Sequence, residues 1–215
     1  MVASLRLLGA LVAFLPGTLA GQEKLALDTS RIEARITHAL APVPPESVHI
    51  DVDSNPPLFG TVRFYQGRRQ PRLISGEDER PRFATLVVSD SLSALVTHIE
   101  DVPKAWGLVA VNHLSTDSMV VESIMQFLAL TGVVSPSQVL LDEKQARSRA
   151  HPGLLEDASV LKRVRPPRAR QLGGRWIVPV YVDESKGVFR YDFTISRDSG
   201  LQIRKHLLTR YKYQF

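Results

Sequence analysis

The chain has no cysteine. That absence removes disulfides, catalytic thiols, thiolate metal sites and iron–sulfur ligation together, and with them lipid attachment through a cysteine at an export cleavage point. Asparagine occurs only at Asn55 and Asn112, neither followed two residues on by Ser or Thr, so no N-glycosylation acceptor exists. Neither Gly-x-Gly-x-x-Gly nor a Walker loop is present, which leaves nucleotide chemistry without a phosphate cradle. Gly-x-Ser-x-Gly, Ser-x-x-Lys followed by Lys-Thr-Gly, and His-Glu-x-x-His are missing as well, so no local signature of a serine or zinc hydrolase stands in the chain.

The longest apolar run lies at the N-terminus. Arg6 precedes Leu7 to Leu15, Pro16-Gly17 breaks any helix, and Thr18-Leu19-Ala20 offers the small side chains that a signal peptidase accepts. The run is shorter than the ~20 residues that cross a bilayer. Residues 1–20 therefore read as a signal peptide cut after Ala20, leaving 21–215 as a single exported domain, periplasmic or secreted, with no transmembrane anchor after cleavage. A thiol-free domain of this size can bury enough surface to fold without disulfides, which fits a bacterial envelope or secreted protein. The formal net charge of +5 favours contact with anionic surfaces.

Periodicity then supplies the elements. Ser30 and Glu33 form a capping box ahead of Ile32, Ile36 and Leu40, predicting a helix that the prolines at 42, 44 and 45 end. Val48 to Val52 alternates as a strand, and Thr61 to Tyr65 reads as a second. Gln66 to Pro81 is charged and rich in Gly, Arg and Pro, predicting a loop. Phe83 to Val88 reads as a buried strand. Ser89 or Asp90 would cap a helix carrying Leu92, Leu95, Val96 and Ile99, with a strand from Gly107 to Val111 completing a β-α-β succession, either a parallel crossover or, with so short a helix, an antiparallel layout. Ser115 or Thr116 starts the best-defined helix, inward through Met119, Val120, Ile124, Phe127, Leu128 and Leu130, with Gly132 as its left-handed terminator. Ser135-Pro136-Ser137-Gln138 opens a further helix bearing Leu140 and Leu141, and a short one is expected around Leu154 to Leu161.

Lys162 to Arg175 holds six cations and no acid, and reads as a basic linker where the domain could subdivide. Trp176 to Val182, Val188 to Ser196 and Leu201 to Leu208 follow as an antiparallel meander, with Phe189, Tyr191, Phe193 and Ile195 on one face of its middle strand. Lys205 falls in the apolar phase of the last strand, which marks that strand as a sheet edge or as one paired with an open face. The fold class is α+β: helices packed on one face of a mostly antiparallel sheet with a C-terminal three-stranded meander, an outline similar to cystatin-like and NTF2-like shapes.

Three groups of residues carry candidate chemistry. Asp51-Val52-Asp53 opens like a calcium loop, but Pro56 and Val62 stand where glycine and glutamate are required, so no metal site is assigned. His49 and Asp51 share a strand face, and His113 lies at a strand-to-helix junction whose free amides suit an anion; together they would define a pocket for a small-ligand carrier or a hydrolase-type enzyme. Two basic clusters point elsewhere. Arg165, Arg168, Arg170 and Arg175 in one, with Arg204 and Lys212 in the other, suit a non-enzymatic binding domain contacting an envelope protein or an anionic polymer or lipid surface. Nucleic acid is disfavoured, since stacking aromatics are sparse beside the first cluster. A structural subunit is the third reading, and no cofactor is expected.

Overall fold

The computed structural model describes residues 29–41, 48–54, 58–69, 83–90, 92–109, 114–150, 152–196 and 200–212. The proposed signal peptide and His113 lie outside them. Helix α1 (Thr29–Leu40) buries Ile32, Ile36 and Leu40, the three positions its four-residue spacing selects. Strands β1 (Val48–Ser54), β2 (Arg63–Arg69), β3 (Phe83–Ser89) and β4 (Leu92–Val96) form an antiparallel sheet in sequential order. Helix α1 packs on one face, against Tyr65, Ala84, Leu86 and Val88. Phe64, Val87, Ala94 and Val96 turn the other way, into the main core.

Three expectations fail here, two of them because pairing across the sheet outweighs local sequence. Leu92 to Val96 is a strand in an antiparallel hairpin with β3, so no helix and no parallel β-α-β unit forms. A short apolar run has no intrinsic preference that survives a neighbouring strand with open hydrogen-bonding groups. Gly107 to Val109 is a turn after helix α2 (Val102–Trp106), not a strand. Residues 66–69 belong to β2 rather than to a loop: Gln66 and Arg69 are buried there. The Gln66 amide lies 3.5 Å from both the Thr85 hydroxyl and the Leu130 carbonyl, while Thr85 donates to the Thr131 carbonyl at 2.9 Å. This polar seam fastens the end of helix α3 (Asp117–Thr131) to the sheet. Thr116 caps α3 by accepting from the Met119 amide, and Gly132 follows at φ 72°, as its sequence position requires.

The segment after α3 departs from the expected helix too. Ser135 and Gln138 do form the capping box, but around a single 3₁₀ turn. Strand β5 (Val139–Leu140) follows, and only then helix α4 (Glu143–Arg149), capped by Asp142. Leu140 is buried against Tyr181 while Leu141 faces solvent. Residues 158–163 make a longer 3₁₀ stretch where the short helix was expected.

The second sheet contains the predicted meander: β7 (Arg175–Glu184), β8 (Gly187–Ser196) and β9 (Gly200–Arg210), with β9 at the edge. Strand β5 and a short β6 (Arg170–Leu172) pair with β7. The basic linker is therefore partly a hairpin. Gly173 and Gly174, at φ 56° and 73°, turn β6 directly into β7, a two-residue connection that needs positive φ at both positions. Gly187 is constrained as tightly: at φ 146° its backbone lies so close to β9 that a Cβ would stand 2.1 Å from the Thr209 carbonyl oxygen.

The inner faces of both sheets share one core with α2 and α3. At its centre Trp106 stands edge-on to Phe127 with ring centroids 5.0 Å apart, and Phe59 and Phe64 pack on Phe127 at 5.7 and 5.6 Å. Valines of β7 and Phe193 and Ile195 of β8 close it from the other side. A smaller cluster under α4, built on Leu140, Leu155, Leu161, Tyr181 and Val188, covers one end of the second sheet's outer face. Because Phe127 touches three aromatic partners and bridges the layers, Phe127→Ala should cost about 3–5 kcal/mol. A urea titration that gave an unchanged midpoint would refute this placement.

Candidate functional site

The alternation of β8 decides where charge can go. Tyr191, Phe193 and Ile195 point into the core, so Arg190, Asp192 and Thr194 must point outward. The register carries that phase across the sheet. Arg170 pairs with Ile177, and Ile177 with Thr194; Arg175 pairs with Ser196; Arg204 pairs with Asp192; His206 pairs with Arg190. All of these belong to one outer face. It presents Arg170, Arg175, Arg190 and Arg204 with His206; among the described residues Asp183 lies on the same face at the end that the α4 cluster covers, and the carboxylate among the arginines is Asp192. That carboxylate is engaged: Asp192 accepts from Arg190 Nε at 2.8 Å and has His206 Nε2 at 3.3 Å. From the Arg175 row to the Arg190 row the cationic strip runs about 20 Å, at roughly 3.3 Å per residue along the strand. Leu172, 69% exposed, sits beside Arg175 at the hairpin end of the strip.

Of the six cations singled out by sequence, the sheet thus unites Arg170, Arg175 and Arg204. Arg168 is exposed in the extended segment leading into β6. Arg165 donates to the carbonyls of Lys162 and Val164 at 2.6 and 2.7 Å, and Lys212 reaches the Gly153 carbonyl at 3.3 Å, so both serve to hold backbone. His206 stands in the same C-terminal basic run as Arg204, and Arg190 is the member that sequence reasoning left out of the clusters. Its signal was available: it stands in the polar phase of its strand.

Of the other sequence candidates, His49 and Asp51 stand together on one strand face and His113 lies outside the described residues. His49 Nε2 lies 3.1 Å from Asp51 Oδ1 on β1, the edge of the first sheet, with side chains 78% and 59% exposed. Neither lines the cavity described next. Among the described residues no group of three or more His, Asp or Glu could hold a metal ion.

A cavity of about 510 Å³ opens on the inner side of the second sheet. Its walls come from the turn after β4 (Thr97 to Glu100), the segment after α3 (Val133, Val134, Gln138) and the meander (Val182, Glu184, Tyr191, Lys205). Asp101 fixes the first wall: its Oδ2 accepts from the Thr97 amide and hydroxyl and from the His98 amide, at 2.9 to 3.1 Å. On the meander, the Tyr191 hydroxyl donates to Glu184 Oε1 and Lys205 Nζ donates to Oε2 at 2.8 Å. The same ammonium lies 4.1 Å from the ring centroid of Phe189 and 5.2 Å from that of Tyr191, close enough for cation–π attraction. Lys205, out of phase in the sequence, is therefore the counterion of an inward carboxylate. On the opposite side of the sheet the Tyr211 hydroxyl donates to Asp183 Oδ1 at 2.6 Å.

No protein-family model matches the chain, and no curated protein and no solved structure is similar to it. Among the described residues no helix is long and apolar enough to cross a membrane.

Burial, then the hydrogen bond to Glu184, then the charges of Glu184 and Glu100 hold the Tyr191 phenol far above its ordinary value of 10.0. Burial and the bond to Asp183 do the same for Tyr211. A folded value above the unfolded one means that the unfolded chain releases these protons first. The stabilisation is complete below pH 10.0 and is lost as pH rises through the folded values. Stability should therefore fall on the alkaline side, with a shallower slope in Tyr191→Phe. Phenolate absorbance of the folded protein that rose in step with free tyrosine would contradict this.

Proposed function

We propose that the chain is an exported, non-enzymatic binding domain whose outer C-terminal sheet face docks an extended anionic polymer. The supporting observation is the co-facial set Arg170, Arg175, Arg190 and Arg204, gathered from four strands, with Asp192 the carboxylate standing among them and Asp183 engaged by Tyr211 at the covered end. Guanidinium groups suit such a partner because each can pair bidentately with a carboxylate, sulfate or phosphate. Away from the end that the α4 cluster covers the face is open, and polar Thr194 and Gln202 stand between the cations beside half-buried Ile177 and Pro179. That arrangement favours a charged chain laid along the strands over a protein partner, whose interface would call for a desolvated apolar centre. The missing nucleotide, thiol and hydrolase motifs agree with a binding role.

The test is retention on dextran sulfate, polyglutamate and phosphatidylglycerol vesicles, measured across salt concentrations. The variant R170E/R175E/R204E should keep its circular dichroism and thermal transition but lose at least about tenfold in affinity for the polymers, with a flatter salt dependence. Unchanged polymer retention would remove the basis for the proposal. Binding confined to the vesicles would replace the polymer with a lipid surface as the partner.

A further inference from the structure

The cavity on the inner face of the same sheet has the opposite electrical character. Its charged lining is Glu100, Glu184 and Lys205, with His98 at the rim, so carboxylates exceed ammonium groups two to one on a chain whose net charge is +5. Glu184 is half engaged. One oxygen accepts from Tyr191 and the other from Lys205, while a carboxylate has about four acceptor sites. Glu100 is exposed, has no hydrogen-bond or ion-pair partner among the described residues, and lies near enough for its charge to act on the Tyr191 phenol. The remaining wall is mixed, with Val133, Val134 and Val182 forming an apolar part beside polar Thr97, Gln138 and Ser185. A volume near 510 Å³ is ample for a small molecule and lies within the usual range of ligand sites.

We propose that this cavity binds a small organic cation, a primary ammonium carried on a short apolar body, with Lys205 occupying part of the site as a tethered competitor. The geometry of Lys205 is itself the template. Its ammonium touches a carboxylate and lies over aromatic rings, and its alkyl stem supplies the apolar body, which is how a free amine would be held. Lys205 sits on the edge strand with its side chain 37% exposed, so it can swing outward without disturbing the core. Glu100 then faces the incoming charge from the other wall. The proposal uses neither the outer face nor its arginines, and stands or falls independently of polymer binding.

The experiment is an amide-resolved NMR titration with n-pentylamine, using sodium pentanoate as the probe of matched body and opposite charge. Pentylamine should give saturable shifts at Val133, Val134 and Glu184, and pentanoate should not. Lys205→Met should tighten pentylamine binding about three- to tenfold by vacating the carboxylate, and Glu100→Gln should weaken it by a similar factor, as expected for single partly exposed charges. A merely structural Lys205 would weaken or leave unchanged the binding when replaced. Equal shifts from pentanoate, absence of saturable shifts from pentylamine, or no gain in Lys205→Met would each overturn the assignment.

Discussion

The register of the β7–β8–β9 meander is the constraint on which both candidate surfaces depend. Side chains alternate with a period of two, so a slip of one residue would carry every side chain of a strand to the opposite face. In the observed register Val178, Val180, Phe193 and Ile195 enter the core, and the arginines of the outer strip and the Glu184–Lys205 pair of the cavity fall on opposite sides as a consequence. The apolar face therefore fixes the position of the charges. Two local devices keep it in place. Gly187 lets β8 begin against Thr209 where no other side chain fits, and a bulge between Val188 and Phe189 absorbs the one extra residue of β9 before the outer rows align. The apolar penalty of a slip would be large, because it would expose Phe193 and bury Arg190 together.

One sheet thus separates charge by face. Outside, four arginines stand around Asp192, with Asp183 at the covered end; inside, Glu184 pairs with Lys205 and Glu100 lines the facing wall. The separation is cheap because neither group is deeply desolvated. Asp192 is satisfied by Arg190 and His206, and Glu184 by Tyr191 and Lys205, so no carboxylate on the meander is left buried without a partner. Tyr191 is the exception in burial. Only 2% exposed, it brings a hydroxyl to the boundary between core and cavity, where the bond to Glu184 compensates its desolvation.

Local signals were enough wherever an element is specified by its own period and caps. Helix α1 could be read from Ile32, Ile36 and Leu40, helix α3 from Thr116 at one end and Gly132 at the other, and the meander from its alternation and glycine turns. The errors gather where a partner strand decides. Leu92 to Val96 satisfies a helical spacing and a strand equally, and only β3 chooses between them. Gln66 looks like loop composition, yet it is buried because the end of α3 supplies a carbonyl for its amide. Strand β6 has no alternation to read, since Arg170, Gln171 and Leu172 are all exposed on the margin of β7. Most of the basic face was legible because Arg170 and Arg175 fall in one basic run and Arg204 and His206 in a second. The cavity was not, because its walls come from segments separated by over a hundred residues.

One residue did break the pattern of its strand in the sequence. A lysine in the apolar phase of a strand has two ordinary explanations: it blocks pairing at a sheet edge, or it answers a buried charge. Lys205 does both, and the second role explains why the first could be combined with an inward direction. Edge protection alone is served equally well by a lysine turned to solvent, such as one at the position of Gln202. An inward ammonium requires something inside to receive it, and the only inward carboxylate of the described meander, Glu184, stands within 2.8 Å. The pair in turn needs an opening, since sealing both charges into the aromatic core would cost more than their attraction returns. The out-of-phase lysine, the inward glutamate and the cleft between the layers are therefore one structural solution, and each accounts for the presence of the other two.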